Sequence, residues 1–381
     1  MESGNIAISL HSNSVPHFVN GAMDQLYQHM HSSLAYHGIY GHITQDTSTY
    51  VARKNGEIVA VILFCIENGK LRVLNEQLRL EADEIQRFSD YIFNTCQSVH
   101  VVTFPVIENT ISRLSFPYQQ SLCTQDIVLT MPESVEAYLH SLGKSTRNYV
   151  KRYQNKLKRD FPSMTCKTYG NHDASEQHIR DICALNRARM ANRCTSSYID
   201  DAETERLIKL VRICGLVTVI TINGSVCAGT INYRFGENYF LKVIAHDPAY
   251  DEYGLGTLCC YLTICECIAR KGKEYHFLWG RYEYKFRLLG IQRDLSHLAI
   301  YRSRLHMFLN GRDALKLAYN GRMYGARDWM ELKMRRMDNS TVSGKLAFHF
   351  LNNLKKMKRT VARWRARRHA SVVEPASLQK E

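Results

Sequence analysis

The stretch His276-Phe-Leu-Trp-Gly-Arg-Tyr-Glu-Tyr-Lys-Phe-Arg287 constrains the fold of this 381-residue chain more than any other segment. It continues an apolar run that is predicted to be a strand from Glu274 to Trp279. Gly280 then breaks the strand pattern, and aromatic and ionisable residues follow in close succession. A buried strand that ends in such a mixture is typical of a site at the edge of a sheet.

The residue types after this strand are those needed for acyl transfer to an amine. The amine must lose a proton, the acyl oxygen must be polarised, and the leaving group must be protonated. Tyr284 and Lys285 are candidates for the last two tasks, and Glu283 or His246 for the first. The alternative for each residue is an ordinary surface side chain at a strand end.

A second stretch is predicted to bind an anion. A strand ends near His246, a loop containing Pro248 follows, and a helix opens near a pair of glycines. Glycines at a helix N-terminus let free N–H groups approach a phosphate closely. The candidate cofactor-binding residues are Tyr253, Gly254, Leu255, Gly256 and Thr257. The alternative is a tight strand-to-helix turn without a ligand.

Two similar hairpins indicate an internal duplication. Asn55-Gly56 and Asn223-Gly224 each separate two β-rich runs, and Asn-Gly is a strong hairpin signal because both residues tolerate positive φ. A helix from Glu81 to Cys96 and a strand from Val101 to Pro105 follow the first hairpin, as a helix and strand follow the second. The pattern predicts two related α/β units, with chance recurrence of a common hairpin as the alternative.

Positive charge is concentrated in two segments. The chain has 50 lysines and arginines against 36 acidic residues, a net charge of +14. Lys144 to Arg159 holds seven bases and no acid, and Lys355 to Arg368 holds eight bases and no acid. Such segments favour polyanions, but a solvated helix face explains each equally well. The second, with Trp364, is predicted to contact anionic lipid headgroups at the inner membrane face.

The remaining composition predicts a cytoplasmic globular protein. No run approaches the roughly 18 apolar residues of a membrane span, and the N-terminus lacks a secretory signal pattern. The twelve cysteines include no Cys-x-x-Cys pair, so buried free thiols are expected rather than disulfides or a metal site.

Three segments resemble one known family. Leu185-Asn-Arg-Ala-Arg-Met190 resembles its leucine–histidine–arginine–alanine–arginine–tryptophan helix, and Asp247 to Leu258 resembles its glycine-containing turn into the cofactor helix. His276 to Arg287 resembles its aspartate–phenylalanine–leucine–arginine–glycine strand and the loop that follows. The positions in register are Phe277, Leu278, Gly280, Tyr284, Lys285, Phe286 and Arg287. The family is the cellulose-biosynthesis acetyltransferase-like branch of the GNAT superfamily, related to the Fem aminoacyltransferases.

This resemblance implies a GNAT fold, acetyl-CoA or a longer acyl-CoA as donor, and often an amino sugar or polysaccharide precursor as acceptor. Many members are duplicated, and the basic helix from Arg147 to Arg159 resembles the segment that opens their domain. The sequence departs from the family where acids are expected, at His276, Arg281 and Tyr282. The wider superfamily has glutamine or arginine where Asp251 stands, and a carboxylate there would repel a pyrophosphate.

Together these features predict an α/β (α+β) protein of two tandem GNAT-like halves, with mixed central sheets flanked by helices. The predicted divisions are an N-terminal half (1–130), an acyltransferase domain (131–337) and a basic helical tail (338–381). The predicted activity is acyl-CoA-dependent N-acyl transfer to an amino sugar or envelope precursor. A Fem-like aminoacyl-tRNA-dependent transferase and a catalytically degenerate binding protein are the alternatives. Nucleic-acid binding is not expected under the first hypothesis.

Overall fold

A computed structural model describes residues 6–108, 111–192 and 197–336. These residues form one large mixed sheet flanked by helices. The described strands are β1 (Ile6–His11), β2 (Ser48–Lys54), β3 (Glu57–Glu67), β4 (Lys70–Val73), β5 (Val101–Ile107), β6 (Tyr118–Thr130), β7 (Thr165–Gly170), β8 (Gly215–Ile222), β9 (Ser225–Phe235), β10 (Asn238–His246), β11 (Glu274–His276) and β12 (Ile291–Tyr301). The described helices are α1 (Val19–Tyr27), α2 (Leu34–Ile39), α3 (Ala82–Thr95), α4 (Val135–Ser141), α5 (Lys144–Asp160), α6 (Glu176–Asn192), α7 (Asp201–Cys214), α8 (Leu255–Ala269), α9 (Glu283–Arg287), α10 (Arg304–Leu309) and α11 (Gly311–Arg336).

The strand order shows that the chain contains the same unit twice. It runs β1-β2-β3-β4-β5-β12-β6-β11-β10-β9-β8-β7. From either edge inward, three antiparallel pairings are followed by one parallel pairing, β4 with β5 or β10 with β11, and then by another antiparallel one. The prediction of two GNAT-like halves is confirmed at the level of fold.

The last strands of the two halves are exchanged. β6 follows β5 in the sequence but pairs with β11, whereas β12 follows β11 and pairs with β5. β6 and β12 also pair with each other along most of their length, from Ile291 with Val128 to Ile300 with Tyr118. The two predicted sheets are therefore joined edge to edge into one.

Both predicted Asn-Gly hairpins are present. Asn55 and Gly56 have φ values of 52° and 89°, and Asn223 and Gly224 have values of 51° and 80°. Positive φ at both central residues gives the turn a twist that matches the flanking strands. The turns therefore set the β2–β3 and β8–β9 registers from local sequence alone.

Helices cover the sheet with their apolar faces. Ile85, Phe88 and Ile92 of α3 are buried in the core of the N-terminal half, at the spacing that predicted this helix. In the C-terminal half α5 and α8 contribute to one core, and α6 and α7 to another. Val150 and Leu157 bury the apolar stripe of α5, which leaves most of its bases at the surface.

Some details differ from the sequence-based expectations. β11 ends at His276, three residues before the predicted end, because Leu278 adopts a left-handed φ of 58° that no strand continues through. The residues expected after the strand lie on the short helix α9. Thr130, the last residue of the predicted N-terminal half, is also the last residue of β6.

The chain divides into two compact units, Met1–Gly321 and Arg322–Glu381. The sheet belongs to the first unit, and the described part of the second is the end of α11. The predicted tail 338–381 and its basic segment Lys355–Arg368 lie outside the described residues. Among the residues that are described, no helix combines the length and apolar character needed to cross a bilayer.

Candidate active site

A cleft opens where β10 and β11 diverge. The two parallel strands pair only from Asn238 with Glu274 to Phe240 with His276, and β10 then continues past a bulge between Leu241 and Val243. The separation leaves a cleft of about 440 Å³. Its lining residues are Met30, His31, Asn186, Arg189, Met190, Tyr198, Leu241, Lys242, Val243, Ile244, Phe277, Leu278, Trp279, Tyr282, Tyr284 and Lys285.

The predicted glycine turn lies at the end of β10. Gly254 has a φ of 56° and is the N-cap of α8, and it offers no side chain to the first N–H groups of that helix. No acidic residue lies in the first turn. The helix start therefore presents unneutralised backbone dipoles, which suit an anion.

Space at this turn is tightly limited. A Cβ on Gly254 would lie 1.8 Å from the Tyr149 hydroxyl oxygen, and one on Gly256 would lie 2.8 Å from His246 Nδ1. Only glycine fits at either position without displacing a neighbour. The two glycines are thus required by the close packing of Tyr149 and His246 against the turn.

A smaller cavity of about 160 Å³ connects the turn to the cleft. It is lined by Arg189, Ile244, His246, Gly254, Gly256, Thr257 and Tyr284. Arg189, Ile244 and Tyr284 also line the cleft, so the two spaces are adjacent. Of the predicted catalytic residues, His246 and Tyr284 are brought together here, beside three of the five predicted cofactor-binding residues.

His246 is oriented by the residue that departs from the superfamily pattern. Its Nε2 lies 2.8 Å from Asp251 Oδ1. A proton on Nε2 satisfies that carboxylate and leaves Nδ1 of a neutral ring as an acceptor. Nδ1 is buried and has no hydrogen-bond partner in the described structure. Asp251 therefore faces His246, where its charge orients the imidazole.

Tyr284 stands on the wall shared by the two spaces. Burial raises the pKa of its hydroxyl well above the usual range. The hydroxyl therefore remains protonated at neutral pH and can donate a hydrogen bond to developing negative charge. A pKa this high favours stabilisation of a departing thiolate by hydrogen bonding over complete proton transfer to it.

Lys285 is engaged by the backbone. Its Nζ donates to the carbonyl oxygens of Phe277, Leu278 and Trp279, at 2.7, 3.1 and 2.6 Å. Burial lowers the pKa of this ammonium group to about 8. With three carbonyls as acceptors, its three protons hold the turn after β11, including the left-handed Leu278, and none is left over for a substrate oxygen.

Three other predicted site residues lie away from the cavity. Glu283 is exposed and forms an ion pair with Arg287 at 2.6 Å, one turn along α9. Leu255 is fully buried in the core of the C-terminal half. The Tyr253 hydroxyl donates to Asp160 of α5 at 3.2 Å. Tyr253 and Leu255 thus anchor the glycine turn from behind.

The basic helix α5 packs beside the glycine turn. Lys156 pairs with Glu252 at 2.9 Å and lies over the Tyr253 ring, 4.2 Å from its centroid. Tyr149 reaches Gly254 and interacts with the Thr257 side chain. This side of α5 therefore packs against the glycine turn and is not simply a solvated face.

A buried charged cluster lies at the point where the two strands separate. His276 Nδ1 lies 2.7 Å from Asp126 Oδ2, and its Nε2 lies 3.3 Å from Glu274 Oε2, which Arg293 also binds. Burial opposes protonation of His276, but Asp126 and Glu274 outweigh burial and raise its pKa. Hydrogen bonds from His276 and Arg293 likewise overcome burial and hold the pKa of Glu274 well below its usual range.

His29 completes the one described group of side chains whose ligand atoms, all within 4.8 Å, could hold a metal ion: His29, Asp126 and His276. The charge of Asp126 is already balanced by the His276 imidazolium. His29 Nδ1 accepts from the His31 backbone N–H at 3.2 Å, which places the proton of the neutral ring on Nε2. Both contacts oppose metal ligation, so we describe the group as an ion pair beside a neutral histidine. The sequence-based expectation of no metal stays a prediction.

Several residues of the cleft were not predicted as site residues. Met30 and His31 come from the N-terminal half, far away in sequence, and carried no local signal. Asn186, Arg189 and Met190 lie in the helix segment that carried the family resemblance, so that motif could have identified them. Lys242 was hidden within a strand pattern, and it pairs with buried Glu203 at 3.2 Å.

A protein-family comparison matches the part of the chain that contains the glycine turn. Residues 144–286 match the family model described as an acetyltransferase (GNAT) domain. The matched segment runs from the start of α5 into α9, and so includes the glycine turn and those cleft residues that belong to the C-terminal half. No curated protein sequence matches the chain.

Solved structures share the fold across both halves. The crystal structure of FemX aligns with a TM-score of 0.60 and 7% identity, over 80% of this chain and 99% of that chain. A conserved protein of unknown function from Bacteroides thetaiotaomicron VPI-5482 aligns with a TM-score of 0.51 and 11% identity, over 78% of this chain and 100% of that one. A tandem GNAT protein from the clavulanic acid biosynthesis pathway gives a TM-score of 0.36 and 11% identity, over 78% and 98%. Identities this low concern the fold alone, and the likeness in fold rests on the first two structures.

The fold and the domain match agree with each other. Residues 144–286 match an acetyltransferase (GNAT) domain model, and the N-terminal half repeats the strand order of the half that contains them. GNAT folds typically use an acyl-CoA donor.

Proposed function

We propose that the protein is an acyl-CoA-dependent N-acyltransferase whose donor binds in the C-terminal half. The observation that carries the proposal is the open separation of β10 and β11, which leads through the small cavity to the uncapped glycine start of α8. Gly254, Gly256 and Thr257 would receive the pyrophosphate, with α5 alongside. The cleft would hold the acyl end and the acceptor.

The two residues that face the small cavity divide the proton chemistry. His246 Nδ1 accepts the proton that the amine loses, and Asp251 stabilises the imidazolium that results. Tyr284 donates a hydrogen bond to the sulfur as the thioester bond breaks. Lys285 acts as a positioning residue, because it holds the backbone that forms one wall of the cleft.

The rim of the cleft supports a sugar-like acceptor. Trp279, Tyr282 and Tyr198 line it while remaining 61, 60 and 59% exposed. Such rings offer flat apolar faces on which a pyranose can stack. No carboxylate is among the described lining residues, so a polycationic acceptor would find no partner there. We therefore infer an amino sugar or envelope-polysaccharide precursor, as in the cellulose-biosynthesis branch.

Ligand-induced thermal stabilisation tests the donor. Acetyl-CoA, a longer acyl-CoA and tRNA are each added in turn, and unfolding is followed for the full chain. A ligand that binds only the folded state, at a hundred times its dissociation constant, adds about 2.7 kcal/mol. Absence of a shift with every acyl-CoA would contradict the proposal.

Gly256→Glu tests the position of the site. Its side chain must displace His246 or enter the small cavity, where its charge repels a pyrophosphate. The acyl-CoA shift is expected to vanish. Gly21→Glu in α1 is the matched control, because it introduces the same charge where nothing lies within 4 Å, and it should leave the shift intact. Survival of the shift in Gly256→Glu would exclude the glycine turn as the donor site.

The second candidate function is a Fem-like aminoacyl transferase, because of the fold shared with FemX. Its fold aligns over most of both chains, and a Fem-like transferase would take its acyl group from an aminoacyl-tRNA. Fem proteins often carry a long helical hairpin, and the sequence predicts none between Met131 and Met337. The described part of that range does contain one long helix, the 26-residue α11, but the helix before it, α10, has only six residues. Stabilisation by tRNA alone, lost steeply with salt, would favour this candidate.

A further inference from the structure

The start of the C-terminal helical region carries an unusual exposed apolar surface. Leu305, Phe308 and Leu309 of α10 are 62, 81 and 67% exposed, and Leu315 and Tyr319 of α11 are 74 and 63% exposed. We call these five residues the α10–α11 face. Large apolar side chains clustered at this exposure mark an interaction surface in a soluble protein.

Helical spacing places these side chains on one side of each helix. Leu305, Phe308 and Leu309 are three and four residues apart on α10, and Leu315 and Tyr319 are four apart on α11, so each set lies on one side of its helix. Phe308 and Leu315 also line an open groove of about 1010 Å³. The rest of the groove is mainly apolar and includes Phe116, Pro117, Met307 and Ala314.

Positive charge accompanies the α10–α11 face. Arg304, Arg312 and Lys316 are exposed within the same two helices. Between residues 304 and 320 the one acidic residue is Asp313, which pairs with Lys70 of β4 at 2.5 Å. The surface is therefore both apolar and cationic.

We propose that the α10–α11 face docks this protein on an anionic lipid membrane. Apolar side chains flanked by lysine and arginine are the combination that enters the boundary between headgroups and acyl chains. The groove beside Phe308 has the apolar lining to accept an acyl chain. The attachment is peripheral and reversible. The proposal does not depend on the donor or on the acceptor of the transfer reaction.

Vesicle co-sedimentation of the full chain tests the proposal. Binding to vesicles of phosphatidylcholine with about one third phosphatidylglycerol should exceed binding to pure phosphatidylcholine and should weaken as salt screens the cations. Phe308→Glu should reduce the affinity at least tenfold. Ile291→Glu is the matched control, because Ile291 is 69% exposed at the start of β12, outside the α10–α11 face, and it should bind like the unaltered chain.

Two results would overturn the proposal. Equal vesicle binding by Phe308→Glu and Ile291→Glu would show that another segment, such as the basic Lys355–Arg368, carries all of the attachment. A change of oligomeric state in Phe308→Glu by light scattering, without a change in vesicle binding, would make the face an interface between copies of this chain. Since Phe308 is largely exposed, unchanged thermal unfolding should confirm that the variant remains folded.

Discussion

The two halves of the molecule share one strand plan, but only one of them leaves its central cleft open. In both, the parallel pair is joined by three residue pairs, Lys70–Arg72 with Val101–Thr103 and Asn238–Phe240 with Glu274–His276. In the C-terminal half β10 then diverges. In the N-terminal half the chain returns after β4, and Leu78 forms a bridge with Ile107.

Backbone hydrogen bonds complete this closure. The Gln77 N–H donates to the Val106 carbonyl at 2.9 Å, and the Glu108 N–H donates to the Leu78 carbonyl at 3.1 Å. The segment after β4 therefore occupies the position of the cleft, and the Leu78 side chain is buried in the core there.

The helices that follow these strands, α3 and α8, differ in the charge of their first turns. α3 begins with Asp83 and Glu84 in its first turn, and both carboxylates stabilise its positive end. α8 begins at Gly254 with no acid in its first turn. The start of α3 is thus neutralised by its own side chains, whereas the first turn of α8 contains no acid, as the proposed donor site requires. Both halves therefore share the strand plan. The segment that follows β4 or β10 determines whether the space beside the parallel pair is filled or open.

The largest effect is expected from the proposed base of the open half. His246→Asn removes the imidazole that lines the small cavity, and loss of a general base typically costs about 10²- to 10⁴-fold in rate. The expected result is a fall of about that size in kcat with the acyl-CoA thermal shift retained. Steady-state kinetics and ligand-dependent unfolding measure the two quantities separately.

Glu283→Gln is the contrasting variant. Glu283 was an equal candidate for the base from sequence, but its exposed carboxylate is paired with Arg287. Its replacement should leave kcat within about twofold, since a surface ion pair contributes little. A large loss in Glu283→Gln with none in His246→Asn would reverse the assignment.

The closed half should respond in stability rather than in binding. Leu78→Ala removes a side chain that is 1% exposed and fills the place of the cleft. Truncation of a buried leucine costs about 2–5 kcal/mol. Denaturant unfolding should show that loss, with the dissociation constant for acyl-CoA unchanged.

Val59→Ala on β3 is the control within the same half. Val59 is 37% exposed, so its truncation should stay within about 0.5 kcal/mol. If Leu78→Ala instead weakened acyl-CoA binding, the N-terminal half would take part in donor recognition, and the contrast between the halves would fail.

Several features of the two halves could be predicted from sequence, because each depends on a few neighbouring residues. The Asn-Gly turns fixed both hairpins, since their positive φ values depend on two residues each. The glycines at the start of α8, which predicted the candidate anion site, are a local signal of the same kind. The closure by Leu78 was not accessible, because it depends on a bridge to Ile107 on another strand.

The catalytic assignments were harder to predict for a related reason. Tyr284, Lys285 and Glu283 are consecutive on α9, so three neighbouring side chains point in different directions. Sequence placed all three in the site, whereas only Tyr284 faces the small cavity. The exchange of β6 and β12 was also not predicted, because strand pairing over such distances leaves no periodic signal.

The smallest expected effect concerns the residue at the base of the cleft. His276 pairs with Phe240, and the equivalent place in the N-terminal half is held by Thr103, which does not titrate. The pKa of His276 is raised in the folded state because Asp126 and Glu274 outweigh burial. The folded chain therefore holds this proton at pH values where the unfolded chain has lost it. The resulting stability is complete below about pH 6.5 and falls as pH rises through the folded pKa, by about 1.4 kcal/mol for each pH unit that separates the folded pKa from the unfolded one.

The double variant Asp126→Asn/His276→Gln tests this slope without leaving one buried charge unpaired. Denaturant unfolding from pH 6 to 8 should show a fall in stability for the unaltered chain and a flatter profile for the variant. The fall should be steepest below about pH 7, because the pKa of Lys285 is lowered to about 8 and its titration, which begins about one pH unit lower, contributes with the opposite sign. Thr103→Val in the N-terminal half should leave the slope unchanged. An equal slope in the double variant would show that the cleft of the C-terminal half is not distinguished from its closed counterpart by a titrating pair.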